Sequence, residues 1–262
     1  HYRPKTFVFE NVAGLLSAKP KGISIVDKIF KAFKDIGYKI YEPARLKDAV
    51  FNAGDFNVPQ YRPRIIIFGI REDSGLELDK FYSTLKKHIQ SIKPTVKDAI
   101  GNLPPIYPLE TVTKVKNKNC SHYATDDTDP HHQPRHCSAR DLSTIRTWIA
   151  NGMNALSNKE AVAFYKQVTG RDTLYIKYRN LEWDKQSPTV VAHLQKDGFM
   201  FLHPDLKQAR FITVREAALL MTFPKDYSFV GAKSVCYKMI GNAVPVNFAR
   251  AIADTIYEVI SQ

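Results

Sequence analysis

Cysteine is scarce in this chain of 262 residues. The three present, Cys120, Cys137 and Cys236, are an odd number in unrelated contexts, which argues against a disulfide framework and suits a reducing compartment. Long apolar runs are missing as well. The longest, Ile65 to Ile70, has the length of a strand and is too short to cross a bilayer, and no basic-then-apolar leader opens the sequence. The expectation is a soluble protein with no membrane partner. A bacterial cytoplasm or a nucleus would both suit, and the expected place is the former, associated with the nucleoid. Acidic residues are also in short supply, 26 against 38 lysines and arginines, for a net charge of +12 and a pI near 9.5. That imbalance favours a polyanionic partner, nucleic acid first, over a small neutral substrate. The excess is spread as +6 over residues 1–92, +4 over 93–209 and +2 over 210–262, so charge marks no one segment as the binding one. Internal repeats are absent.

What is present is enough apolar material, 44% hydrophobic and 11% aromatic, to bury the core of one large domain or two modest ones. Thr6 to Phe9 is β-rich, and Ile25, Ile29, Phe33 and Ile36 recur on one helical face that Gly37 stops. Tyr38 to Leu46 alternates loosely as a strand, Arg64 to Ile70 reads as a strand covered on both faces, and Asp79 to Ile92 reads as a helix. From Pro94 to Ala209 the pattern becomes polar and less regular, with short helices expected from Asp141 and from Ser157, the latter opened by a capping box with Glu160. Thr213 and Glu216 form another such box, and Pro245 suits the first turn of a final helix.

Three segments stand out chemically. Glu10-Asn11-Val12 lies at the C-terminal end of an expected strand, where open α/β sheets place ligands; an isolated solvated acid would look the same. Gln60, Arg62 and Arg64 alternate by two, which would put them on one face if the strand starts that early, and Pro63 between them fits an edge or bulge. Lys238 to Pro245 reads Lys-Met-Ile-Gly-Asn-Ala-Val-Pro, a loop in which Gly241 permits close backbone approach before a helix start. A fourth stretch, Arg210 to Pro224, is a capped amphipathic helix that packing alone would explain.

Taken in order, these segments resemble the later motifs of the DNA cytosine-5 methyltransferases. The resemblance covers residues 3–71 and 187–262. It implies an α/β fold, the C-terminal half of an S-adenosylmethionine-dependent, Rossmann-like methyltransferase core (1–92 with 233–262) plus a smaller mixed target-recognition domain (93–232). It implies that Glu10 acts on the Watson–Crick edge of a cytosine flipped out of double-stranded DNA, sharing or holding a proton in a dry pocket. Arg64 would be the matching donor to ring oxygen 2, with Arg62 as a supporting cation. Asn242, Ala243 and Val244 would lie against the methionine part of S-adenosylmethionine.

The family's earlier motifs, a Gly-rich cofactor loop and a Pro-Cys-Gln nucleophile, have no counterpart here. The expectation is therefore a C-terminal part that is inactive alone, its site completed by a partner chain or segment carrying both. A natural second subunit and a fragment of a longer chain both remain open, as does a non-catalytic DNA-binding or regulatory module that retains the fold. Gln60, Lys114, Lys116, Lys118 and Arg210 are the expected DNA contacts. Cys120, His122, His131, His132, His136 and Cys137 fall close together, but as Cys-x-His and adjacent pairs rather than spacings that aim two ligands at one zinc. No metal is expected, and the loop is read as a polar segment near DNA phosphates.

Overall fold

The computed structural model describes residues 2–115, 118–126 and 128–261, with backbone only at Val115 and Lys118. The chain divides into two units, residues 1–93 with 245–262, and residues 94–244. The first begins with β1 (Thr6–Val12), α1 (Ile25–Asp35) and the short β2 (Tyr38–Lys39). It continues through β3 (Val50–Asn52), β4 (Pro63–Arg71) and α2 (Leu78–Lys87). β4 is the centre of the sheet. β1 and β2 both pair with it antiparallel, so they run parallel to each other, joined by α1, with β4 inserted between them. β3 also pairs with β4, opposite Pro63 to Ile65.

The apolar run expected to be covered on both faces is so covered: Ile65, Ile66, Ile67, Phe68 and Ile70 are all buried. Phe68 stacks on Phe81 of α2 at 3.9 Å, and the Tyr82 hydroxyl donates to the Ile66 carbonyl at 3.0 Å. Gly69 has a specific reason to lack a side chain, since a Cβ there would stand 2.0 Å from the Phe7 ring. α1 is capped by Ser24, whose hydroxyl accepts from the Asp27 N–H. The expected strand to Leu46 stops at Lys39, because Pro43 opens a 3-10 turn over Pro43–Ala49. Ile36, expected on the buried face of α1, is its C-cap and is 60% exposed.

The second unit contains α3 (Val96–Ile100), a hairpin of β5 (Ile106–Val115) and β6 (Lys118–Ala124), and α4 (Ala139–Ala150). After these come α5 (Asn158–Thr169), α6 (Val214–Leu220) and α7 (Lys233–Asn242). The hairpin register breaks between Pro108 and Thr113. Helices α3, α4, α5 and α6 each start with a full capping box. Residues 233–242, expected with the first unit, pack in the second: Tyr237 is buried in one core with Leu219 and Leu220, and its hydroxyl donates to the Ile212 carbonyl at 2.7 Å. The last helix, α8 (Val246–Ile260), belongs to the first unit and buries Phe248, Ile252 and Val259. Among the described residues no helix is long and apolar enough to cross a membrane.

Candidate active site

β1 and β4 build the centre of the site. Their register sets Glu10 opposite Ile66 and Val12 opposite Arg64, so Glu10 and Arg64 are diagonal neighbours on one face of an antiparallel pair. Arg64 Nε stands 2.9 Å from Glu10 Oε1, with the side chains 11% and 26% exposed. A second guanidinium nitrogen, Arg64 Nη1, donates to the Pro63 carbonyl at 2.8 Å. Pro63 is the first residue of β4, a position that tolerates a missing N–H. With Glu10 a quarter exposed, the dry surroundings expected for it are not built by this unit's own side chains.

Arg62 is the buried member, 2% exposed. Burial first, and the adjacent Arg64 charge second, lower its pKa to about 10 against the opposing pull of Glu10. Arg64 is lowered too, by burial, with Glu10 again opposing. Gln60 is fully buried, and its Oε1 accepts from Arg62 Nη1 at 3.4 Å. Because β4 starts at Pro63, strand alternation orients Arg64 alone; Gln60 and Arg62 are placed by the segment before the strand. Asn52, which sequence reasoning passed over, does much of that placing. Its Oδ1 accepts from Arg62 N at 2.8 Å and from Gly54 N at 3.2 Å. An Asn two residues before a Gly is the signal that could have found it. The result is a carboxylate beside a fork of N–H donors, which together can meet a planar ring edge carrying an acceptor and a protonatable nitrogen.

The segment 241–244 differs from the loop expected. Gly241 and Asn242 end α7, Ala243 is its extended C-cap, and Pro245 caps α8, which starts at Val246. Gly241 is there for close approach: a Cβ would lie 2.3 Å from the backbone of Val191 and Ala192. Asn242 is exposed, and Ala243 and Val244 are half-buried.

Comparison with known proteins gives the family. The description of C-5 cytosine-specific DNA methylases matches residues 1–258. The chain belongs to this family. It is 30% identical to the Type II methyltransferase M.Bpa9945I of Bacillus paralicheniformis over 99% of this chain and 61% of that protein. It is 32% identical to M1.HphI of Haemophilus parahaemolyticus over 97% and 57%. The chain thus spans about three fifths of the length of these relatives. An E. coli prophage-encoded DNA modification methyltransferase shares the fold at a TM-score of 0.61 and 20% identity, covering 99% of this chain and 70% of that one. S. pombe Dnmt2 methyltransferase does so at 0.55 and 15%, covering 99% and 68%. The architecture is that of an S-adenosylmethionine-dependent methyltransferase.

The remaining predicted residues of this chain lie in the second unit, and one must be corrected. Arg210, expected to touch DNA, is 1% exposed. Its Nη1 and Nη2 donate to the two Glu216 carboxylate oxygens at 2.8 and 2.7 Å, and Nε and Nη2 donate to Gln208 Oε1 at 3.0 and 2.7 Å. Glu216 is fully buried and closes the α6 capping box, accepting from the Thr213 N–H at 2.7 Å. A buried carboxylate needs a buried cation, so Arg210 is spent inside. Burial works to raise Glu216, but the Arg210 charge and hydrogen bonds override it and hold the carboxyl well below its usual range.

The histidine-rich segment is corrected as well. Two of its rings are turned inward, His122 and His132 being 1% and 2% exposed, while His131 is half-buried and His136 exposed. His122 Nε2 meets the Gln208 carbonyl at 3.1 Å, and Gln208 Oε1 also accepts from Ile106 N at 3.0 Å, so one residue holds both strands of the hairpin. His132 spans Thr213 Oγ1 and the Pro104 carbonyl, at 3.1 and 2.8 Å. Among the described residues no group of three or more metal-ligating side chains comes together. Lys114 is exposed on β5, Lys118 lies in β6 opposite Val115, and Lys116 falls outside the described residues.

Burial sets the titration of this network. It is the largest cause lowering His122 to about 4 and His203 to about 3, with the Arg210 charge also lowering both. His203 is therefore neutral at pH 7, and its 3.6 Å approach to Glu216 Oε1 is not an ion pair. Folded values below the unfolded one mean that the unfolded chain binds more protons. Stability is then present above about pH 6.5 and lost as pH falls toward the folded values, at up to about 1.4 kcal/mol per pH unit for each ring. Thermal midpoints measured from pH 7.5 down to 4.5 should fall accordingly, and less steeply in His203→Gln; a flat wild-type profile would contradict this.

Proposed function

We propose that this chain supplies the base-gripping and target-recognition parts of an enzyme that transfers a methyl group from S-adenosylmethionine to carbon 5 of a cytosine flipped out of duplex DNA. The observation that carries the reading is the Glu10–Arg64 pair near the C-terminal end of β1, 2.9 Å apart and largely withdrawn from water. Attack of a thiolate on ring carbon 6 pushes electron density toward nitrogen 3 and oxygen 2. Glu10 holds a proton at nitrogen 3, and Arg64 donates to oxygen 2 in place of its present partner. Arg62, buried behind them, keeps the local potential positive where that density collects. Flipping itself costs a few kcal/mol of unstacking, which these contacts to the base offset.

The thiolate comes from elsewhere. Cys137 is fully buried, and burial pushes its thiol up to about 12. Cys236 is 2% exposed, and the Cys120 thiol donates to the His122 carbonyl at 2.9 Å. The sheet supports the same division: β1 is an edge strand among the described residues, and none of its side chains is buried. A strand from the segment bearing the nucleophile and the Gly-rich loop would pair there. Asn242, Ala243 and Val244 offer one exposed carboxamide and two small half-buried side chains, which fit the methionine end of S-adenosylmethionine and leave its nucleoside to that other segment. When bound, the cofactor supplies the electrophilic methyl group. The absence of a nucleophile also favours a second reading, a DNA-binding module that acts without catalysis, in the bacterial nucleoid in either case.

The test of the reaction is product analysis after the missing motifs are supplied. Digested duplex should contain 5-methylcytosine; methylation of the exocyclic amine would overturn the reading. On the recognition side, neutralising Lys114, Lys116 and Lys118 together should weaken binding to all duplexes alike. The salt dependence should flatten by up to about 3 in slope, near 0.9 per phosphate contact. Loss confined to one sequence would instead make these lysines base readers.

A further inference from the structure

The solvent face of α4 carries Ala139, Ser143, Arg146, Thr147, Ala150 and Asn151, which recur at the spacing of a single helical stripe. Opposite part of it stand Pro108, Leu109 and Glu110, from the stretch where the β5 register breaks. Between them lies an open groove of about 660 Å³. It continues past Arg146 and Thr147 to Asn151 and Leu206 in a second hollow of about 390 Å³.

The chemistry of the lining is selective. α4 keeps its acid, Asp141, at the N-terminus, where it completes the capping box with Ser138. No ion pair or hydrogen bond within the described residues holds the exposed guanidinium of Arg146. The hydroxyls of Ser143 and Thr147 are likewise unengaged. The unit as a whole carries 20 basic against 14 acidic residues, a net +6. Small residues at 139, 143 and 150 let another surface come close to the helix backbone. Twelve residues of helix span about 18 Å, and the DNA major groove, about 12 Å wide, admits one helix. The exposed polar groups are those that pair with base edges: arginine with guanine, glutamate with the cytosine amine, serine and threonine with either kind of group; Asn151, at the end of the stripe, already donates its Nδ2 to the Thr147 carbonyl at 2.9 Å.

We propose that the outer face of α4, with Glu110 across the groove, is the base-reading surface of this chain, and that Arg146 is a specificity-determining residue. This rests on duplex DNA being the substrate, as argued above. It divides recognition between two places: the hairpin lysines hold phosphates and set affinity, and the α4 stripe reads sequence and sets preference.

The experiment selects bound sequences from a library of randomised duplexes with the full 262-residue chain, then repeats the selection with Arg146→Ala and with Lys114→Ala. Arg146 is exposed and outside the core, so its replacement leaves the fold in place, which amide exchange of α4 checks directly. The wild-type chain should enrich a defined site. Arg146→Ala should lose about 10- to 100-fold of discrimination at one base pair while its binding to unselected duplex at low salt stays within a few-fold. Lys114→Ala should weaken all duplexes without changing the preferred site. Duplex should also slow amide exchange across residues 139–151. A wild-type preference that survives intact in Arg146→Ala would overturn the assignment, as would enrichment of no site at all. Failure of the wild-type chain to bind any duplex would instead remove the DNA reading on which the assignment stands.

Discussion

Arg210→Ala should destabilise the second unit by about 3 to 5 kcal/mol, the cost of leaving a buried carboxylate without its cation. Glu216 is fully buried and Arg210 is 1% exposed, so water does not reach either group to replace the lost partner. Gln208 Oε1 would lose two of its three N–H donors, keeping only Ile106 N, and the anchor of the hairpin would loosen with it. Both tryptophans, Trp148 and Trp183, lie in this unit, so a fluorescence-monitored urea titration reports on it selectively. The midpoint should fall steeply in the single variant. It should recover in part when Glu216→Gln is added, because the stranded charge is then gone. An unchanged midpoint would mean that the pair is not buried as described.

Glu10→Gln should lower the methyl-transfer rate by about 10²-fold or more once the missing motifs are supplied, within the range of a general acid–base contribution. The amide keeps the size of the side chain and can still hydrogen-bond the ring nitrogen, so duplex binding should stay near normal while the chemical step slows. Single-turnover rates set against duplex Kd separate the two. Equal losses in both would point to a phosphate contact or a distorted β1–β4 pair. Arg64 supplies an internal check, since it sits 2.9 Å from the substituted carboxylate: Arg64→Lys keeps a charge but loses the fork, and it should slow the same step.

The parts legible in the sequence were those in which local chemistry and fold agree. The run Ile65 to Ile70 announced a strand buried on both faces, and Ser157 and Thr213 announced their helices through capping boxes with Glu160 and Glu216. The boxes at Thr95 and Ser138 went unread because aspartate takes the third position there. Glu10 and Arg64 could be named from motif order, but their meeting depends on a register that sets Glu10 opposite Ile66, and no local pattern encodes a pairing between distant strands. Arg210 and the histidines misled for one physical reason. A charged or polar side chain reads as surface until its partners are known: Arg210 is buried by its near neighbours Gln208 and Glu216, and His122 and His132 by Gln208, Thr213 and Pro104 from far along the chain.

The claim that this chain grips the base while another segment attacks it is tested most directly by labelled methyl transfer to duplex DNA, measured with the 262-residue chain alone and with a segment carrying the Gly-rich loop and the Pro-Cys-Gln nucleophile. The account predicts no transfer from the chain alone and transfer once the segment is added, retained when Cys120, Cys137 and Cys236 are all replaced by serine. Transfer by the isolated chain, abolished by replacing any one of those cysteines, would contradict it.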